Sequence, residues 1–314
     1  MYSSHLQPVL PSLPCAAAAG RCEELCLYDG SVPHCRCSHR RLAADGKSCQ
    51  DHSAFIVFSR VSDIESLHLE PRSNQPPPFP TIRPKSPAMR NAIGLAYSYT
   101  DRLIFYSDIQ AGSINQVHFN GSSDRQLLTR LGSVEGLAYD ARQGFLYWTS
   151  TSDSAVKRLR TGVGGKGGKA SNGTGELVVQ LGREDKPRGI DLDPCAGRVY
   201  WTNWNREHPA IQRAFYSGYD KQDLVTTDIH MPNGLALDRP RRKFYWADAR
   251  LDKIEVCGLD GSGCRALVHS LAEHPFDLAV YDGFLFFTDW VLQAVVRINK
   301  ESFNTLEILV LYTW

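Results

Sequence analysis

The chain has 314 residues, 42% of them apolar and 22% charged, enough to bury a sizeable core and inconsistent with a disordered or fibrous polymer. A formal net charge of +1 favours neither nucleic acid nor an acidic surface, and no run of about 18 apolar residues is present to span a membrane. Residues 1–14 lack the basic start and continuous apolar stretch of a secretory signal and are expected to form an unstructured leader.

Six of the nine cysteines crowd into residues 15–49 with the spacing C-x6-C-x3-C-x8-C-x-C-x11-C. A segment of about 35 residues builds too small a core to fold without staples, so this density predicts disulfides and an oxidising, extracellular setting. Counting alone selects no connectivity, and a zinc site is disfavoured because two matched C-x2-C pairs are missing. The pattern, with Gly46 three residues before the last cysteine, resembles an epidermal growth factor-like module. That resemblance implies the pairs Cys15–Cys26, Cys22–Cys35 and Cys37–Cys49.

From residue 53 to 314 the chain repeats a unit. An aromatic tetrapeptide recurs as FYSD, YWTS, YWTN, YWAD and FFTD, starting at positions 105, 147, 200, 245 and 286. The intervals of 42, 53, 45 and 41 residues match one four-stranded propeller blade. Before each tetrapeptide runs an inner strand opening on Gly94, Gly136, Gly189, Gly234 or Asp277, and at the glycines the missing side chain lets backbones crowd around an axis. An alternating third strand and a short fourth strand follow each one, without helical period. Phe55–Arg60 stands 50 residues before FYSD in the second-strand position, which predicts six blades in an all-β propeller.

The tetrapeptides and the G-L-A inner strands resemble the YWTD, or class B, repeats of the low-density lipoprotein receptor family. The resemblance extends over residues 15 to about 310, and Arg188–Asp191, Val199–Asn205 and Leu251–Glu255 look closest to the large endocytic receptor-related proteins. It implies a non-enzymatic extracellular binding module, displayed on the plasma membrane and in endosomes as part of a parent receptor. Its partners would be protein ligands or other modules of that receptor, with the family's folding chaperones, and no cofactor or metal. Ser150 and Asn203 depart from the motif by replacing its aspartate.

Asp108, Asp248 and Asp289 invite a catalytic reading, yet each sits where an aromatic strand turns, and a short carboxylate there accepts backbone N–H bonds. Ser150 and Asn203 can do the same without charge, so all five positions are expected to be structural and no residue catalytic. Tyr147, Trp148, Tyr200, Trp201, Tyr245 and Trp246 are expected in the packing between blades.

Binding is expected on the face made by loops entering inner strands and loops leaving second strands. These carry Glu135, Arg188, Asn233 and Phe276, together with Asp153, Trp204, Arg206, Glu207, Arg250, Asp252 and Trp290, a set rich in the aromatic and Arg anchors of interfaces. His208, His230 and His274 lie in the same loops and are pH-switch candidates, because histidine gains charge as pH falls through about 6.5. Asn120-Gly121-Ser122 and Asn172-Gly173-Thr174 are glycosylation acceptors on the opposite face. Cys257 and Cys264 flank an Asp260-Gly261 turn within disulfide reach, leaving Cys195 as a buried free thiol.

No inner strand precedes Phe55, and the family's returning strand is missing after Trp314. The sequence therefore reads as a C-terminally truncated ring, either a fragment of a longer receptor or an incomplete gene model. A nidogen-like matrix adhesion protein is the alternative, and a metal-dependent propeller hydrolase is the least favoured, since Arg188 beside Glu135 and Asn233 opposes a cation.

Overall fold

The computed structural model describes residues 22–28, 32–70, 75–84, 88–163, 175–269, 272–302 and 306–311. Two compact units divide the chain, one of residues 1–58 and 64–82 and one of residues 59–63 and 83–314. All described regular structure is β.

In the first unit, β1 (Leu25–Tyr28) pairs with β2 (Pro33–Arg36), and β3 (Arg41–Leu42) pairs with β4 (Cys49–Gln50). Disulfides join Cys22 to Cys35 and Cys37 to Cys49, with Cα separations of 5.2 and 5.9 Å. Cys15 lies outside the described residues. A charged cluster substitutes for a core: Arg40 bonds Glu23 and Glu24, and these carboxylates take the backbone N–H groups of Cys49 and Ser38.

Next in the chain, β5 (Ile56–Arg60) and β6 (Asp63–Leu67) form a two-stranded ladder, with one further bridge from Ile64 to Ile82. This corrects the expected blade count: the described residues form five four-stranded blades, not six. Pro76, Pro77, Pro78 and Pro80 occupy the stretch where a further strand would pair. Proline has no N–H to give to a ladder, so pairing stops at a single bridge.

The second unit holds the five blades. The inner strands are β7 (Ala92–Ser98), β11 (Val134–Asp140), β15 (Pro187–Asp193), β19 (Pro232–Asp238) and β23 (Pro275–Tyr281). Each tetrapeptide ends a second strand: β8 (Leu103–Asp108), β12 (Phe145–Ser150), β16 (Arg198–Asn203), β20 (Lys243–Asp248) and β24 (Phe284–Asp289). The third strands are β9 (Ser113–His118), β13 (Ala155–Arg160), β17 (Ala210–Phe215), β21 (Lys253–Gly258) and β25 (Ala294–Asn299). The fourth are β10 (Arg125–Leu128), β14 (Glu176–Gln180), β18 (Gln222–Val225), β22 (Arg265–His269) and β26 (Leu306–Leu311).

The two aromatics of each tetrapeptide face opposite ways. Tyr147 packs between the second and third blades, and Trp148 between the second and first. Tyr200 and Trp201, then Tyr245 and Trp246, repeat the arrangement one blade further on. Alternation along a strand puts neighbouring side chains on opposite sheet faces, so one dipeptide glues a blade to both neighbours. Trp148, Trp201 and Trp246 are fully buried.

Each inner strand slips register by one residue against its second strand, as between Val134↔Ser150 and Leu137↔Trp148. The resulting bulge presses glycine against the next blade: a Cβ on Gly189 would stand 2.4 Å from the Asn233 carbonyl oxygen, and one on Gly136 would stand 2.2 Å from that of Arg188. The Cys257–Cys264 disulfide closes the turn of the fourth blade, with a Cα separation of 4.1 Å. Cys195 is exposed, correcting the expected buried thiol. It tips the tight turn between β15 and β16, where no core reaches it, and Arg142 approaches its Sγ at 3.6 Å.

The crowding at the bulge predicts that Gly189→Ala lowers stability by about 1–3 kcal/mol in denaturant unfolding, the usual cost of overpacking. Gly283→Ala, where the added Cβ would meet nothing within 4 Å, is the control for sterics and should change stability far less.

Candidate functional site

The loop face is built by the tetrapeptides themselves. Asp248 takes four backbone N–H groups, from Arg250 and Leu251 in the turn leaving β20 and from His230 and Met231 in the loop entering β19. Asp289 does the same with Val291, Leu292, Glu273 and His274, and Asp108 with Gln110, Ala111, Arg90 and Asn91. One carboxylate thus clamps together the two loops that each blade contributes to the face. Where the motif departs, the clamp weakens. Asn203 accepts from Lys186 N–H and donates to Asp185, while Ser150 exchanges hydrogen bonds only with Asp153.

The motif hydroxyl has a second role that the sequence reading did not anticipate. A bulge leaves one backbone N–H outside the ladder, and Ser107, Thr149, Thr202 and Thr288 accept it from Gly94, Gly136, Gly189 and Asp277. Thr149 and Thr202 then donate to the carbonyls of Arg188 and Asn233 on the next inner strand, at 2.6 and 2.7 Å. The invariant offset of a hydroxyl after the aromatic pair in four of the five repeats was the available signal.

These supports present Arg188 as the hub of the face. Its guanidinium bonds the Glu135 carboxylate and, at 2.7 Å, the Asn233 side-chain oxygen. The same group lies 5.3 Å from the Trp204 ring centre and 5.7 Å from that of Phe276. Phe276 stacks on Trp290 at 5.1 Å and 20°. Six expected residues therefore form one connected chain, Glu135–Arg188–Asn233 with Trp204, Phe276 and Trp290. Trp290 remains 53% exposed, the contact-ready end of a chain that is otherwise largely buried or paired. Arg206, Glu207, Arg250 and Asp252 stand exposed on adjoining loops, outside that cluster. Asp153 is engaged by Lys157.

His208 and His230 are exposed, whereas His274 is half-buried with its ring 6.2 Å from Trp290. Asn120 is exposed in a turn where its side-chain oxygen accepts from Ser122 N–H and Oγ. Asn172 lies outside the described residues.

Beneath the hub runs a channel of about 400 Å³, counting its solvent-open space, lined by Gly94, Glu135, Arg188, Asn233 and Asp277 among others. Its donor set suits no metal ion, because the guanidinium already occupies the space between Glu135 and Asn233. Among the described residues the one group of three possible metal ligands is Glu24, Cys37 and Cys49, whose cysteine sulfurs are committed to a disulfide. Asp277 takes the place of the glycine found in the other blades. Although Asp277 is exposed at the channel mouth, desolvation along the channel wall, with the Asp191 charge adding to it against a bond from Leu278 N–H, pushes its carboxyl up to about 6.

The geometry can now be set beside known proteins. Residues 197–239 and 242–281 match the low-density lipoprotein receptor repeat class B family. The human low-density lipoprotein receptor-related protein 5-like protein is 28% identical over 202 residues, 64% of this chain and 76% of that protein. A chain of the crystal structure of a nidogen/laminin complex superposes with a TM-score of 0.67 at 25% identity, covering 81% of this chain and 92% of that one. A Xanthomonas campestris gluconolactonase shares the fold at 18% identity and a TM-score of 0.58, over 70% of this chain and 75% of that one. Fold, repeats and clamped loop face define an extracellular receptor-type propeller module. The chain carries low-density lipoprotein receptor class B repeats and is similar in sequence and fold to receptor-related propellers. Its relatives point to a non-enzymatic role, and the gluconolactonase likeness is one of fold alone.

Two outcomes follow. Thr202→Val removes both the acceptor for Gly189 N–H and the donor to Asn233, and should lower unfolding stability by about 2–6 kcal/mol, given about 1–3 kcal/mol per stranded buried group. For Asp277, the raised pKa means that the neutral acid's favourable contribution is complete below about pH 4 and is lost as pH rises through about 6. Asp277→Asn should therefore raise Tm more at pH 7.4 than at pH 5, by an amount tempered by the solvent access of the carboxyl. Equal shifts at both pH values would contradict the assignment.

Proposed function

We propose that this propeller is a non-enzymatic protein-binding module of an endocytic receptor, engaging polypeptide ligands through the loop face centred on Arg188. The observation that carries this reading is the aromatic and guanidinium chain from Trp204 through Arg188 and Phe276 to the exposed Trp290. Such anchors, rigid and already desolvated on one side, lose little freedom on binding. The residues 15–49 would form an epidermal growth factor-like module with Cys15 and Cys26 as its third pair. Asn120 and Asn172 would carry glycans away from the binding face, and Arg206, Glu207, Arg250 and Asp252 would set the charge of its rim. In the parent receptor the module would traffic between the cell surface and endosomes, with His208, His230 and His274 weakening ligand contacts in acid. His274 is the one of the three whose ring reaches the anchor chain.

A second reading is favoured by the similarity to a chain of a nidogen/laminin complex: a secreted matrix protein using the same face. Both readings place recognition on Arg188 and Trp290, and they separate on whether the parent chain is anchored in a membrane.

The test is selection of binders from a displayed random peptide library on the intact protein. Peptides selected on the wild type should lose at least about tenfold in affinity against Arg188→Ala and Trp290→Ala, the scale of a hot-spot residue. Peptides that bind both variants as tightly as the wild type would place recognition elsewhere and sink the proposal.

A further inference from the structure

Three histidines outside the loop face converge in the first unit, and nothing in the binding role uses them. His39 Nδ1 lies 3.1 Å from the Pro77 carbonyl oxygen, and His68 Nε2 lies 2.9 Å from that of Pro76. His52 Nε2 lies 3.1 Å from the His39 carbonyl, and the His52 and His68 rings meet edge to face at 4.5 Å. Each ring nitrogen facing a carbonyl must carry its hydrogen, so each imidazole donates one bond and needs only its neutral form to do so.

These contacts tie together three pieces of chain. His39 lies within the Cys37–Cys49 disulfide loop and His52 just beyond it, His68 follows β6, and Pro76 and Pro77 belong to the proline strap 75–82. The strap is also held to β6 by the Ile64–Ile82 bridge and the two bonds between Ser66 and Phe79, and to the residue before β5 by the edge-to-face contact of Phe79 with Phe55. Because four of its eight residues are proline, the strap has few backbone donors, and side-chain donors must hold it.

We propose that His39, His52 and His68 form an acid-opened latch, which holds the proline strap against the cysteine-rich segment at neutral pH and releases it when the His52–His68 contact takes up a proton. All three rings are half-buried. A second proton on His52 would put charge against the His68 ring and the Arg41 side chain, with Asp51 the opposing charge. The strap offers no help, since Gln75 to Ile82 includes no ionisable side chain. Burial, then His68, pushes the His52 imidazole below its ordinary value, against the bond to the His39 carbonyl. A depressed folded pKa gives stability that is present above the unfolded value of about 6.5 and is lost as pH falls through the folded one. The latch is thus closed at pH 7.4 and loosens toward pH 5.

The experiment is native-state hydrogen exchange on the full chain at pH 7.4 and 5.5, corrected for the intrinsic pH dependence of exchange. The reporters are the Phe79 and Ile82 amides, which bond Ser66 Oγ and the Ile64 carbonyl. Wild type should lose protection at these amides severalfold at pH 5.5 while the amides of β16 keep theirs. His52→Phe, which retains a ring against His68 without the charge, should abolish that loss, and His68→Phe should do the same if His52→Phe fails to fold. Wild-type protection independent of pH, a loss shared by β16, or a loss that persists in the folded variants would overturn the latch.

Discussion

At each inner-strand bulge one backbone N–H drops out of the ladder and needs an acceptor, most acutely where the bulge is buried, as at Gly94 and Gly136. In four of the five blades the tetrapeptide supplies one, and in doing so couples three things: the blade's own register, the approach of the next blade, and the position of the loops above. The hydroxyl takes the stranded N–H and, in the second and third blades, passes a bond to the following inner strand. The glycine that makes the bulge is also what lets that strand come close enough to receive it.

From this follows the division of labour along the repeat. The aromatic pair supplies non-directional burial between blades, the hydroxyl fixes the crossing point, and the aspartate ties the two face loops of its blade. Function needs the last of these most. Arg188 opens β15 just after a loop tied by Asn203, and Phe276 and Trp290 stand beside the two loops that Asp289 ties, so side chains from different blades meet within hydrogen-bond and ring-contact distances. The weakest support is at Ser150, whose hydroxyl reaches only its own turn, and no residue of that turn joins the Arg188 cluster.

The repeat made the propeller legible from the sequence, because period, inner-strand glycines and aromatic pairs all report the same unit. The structural role of the aspartates was legible for the same reason: Asn and Ser at two copies keep hydrogen bonding and discard charge. The blade count was not. Phe55–Arg60 reads as a second strand, but a sequence match to one strand does not supply its neighbours, and the prolines that follow remove the donors a full sheet requires. Cys195 was misplaced because burial was inferred from residue type, whereas a turn between β15 and β16 decides it. The cluster around Arg188 was legible as a list of loop residues, while the guanidinium between two rings depends on side-chain packing that spacing does not encode. The histidine latch was invisible, since its members lie up to 29 positions apart along the chain.

The fourth blade offers the most direct check of the hydroxyl's role, because Ala247 stands there in place of serine or threonine. Residue-resolved hydrogen exchange under native conditions should find the amides of Gly94, Gly136, Gly189 and Asp277 strongly protected, and that of Gly234 exchanging markedly faster. Equal protection at Gly234 would mean that the bulge is sustained by packing alone, and would contradict the account.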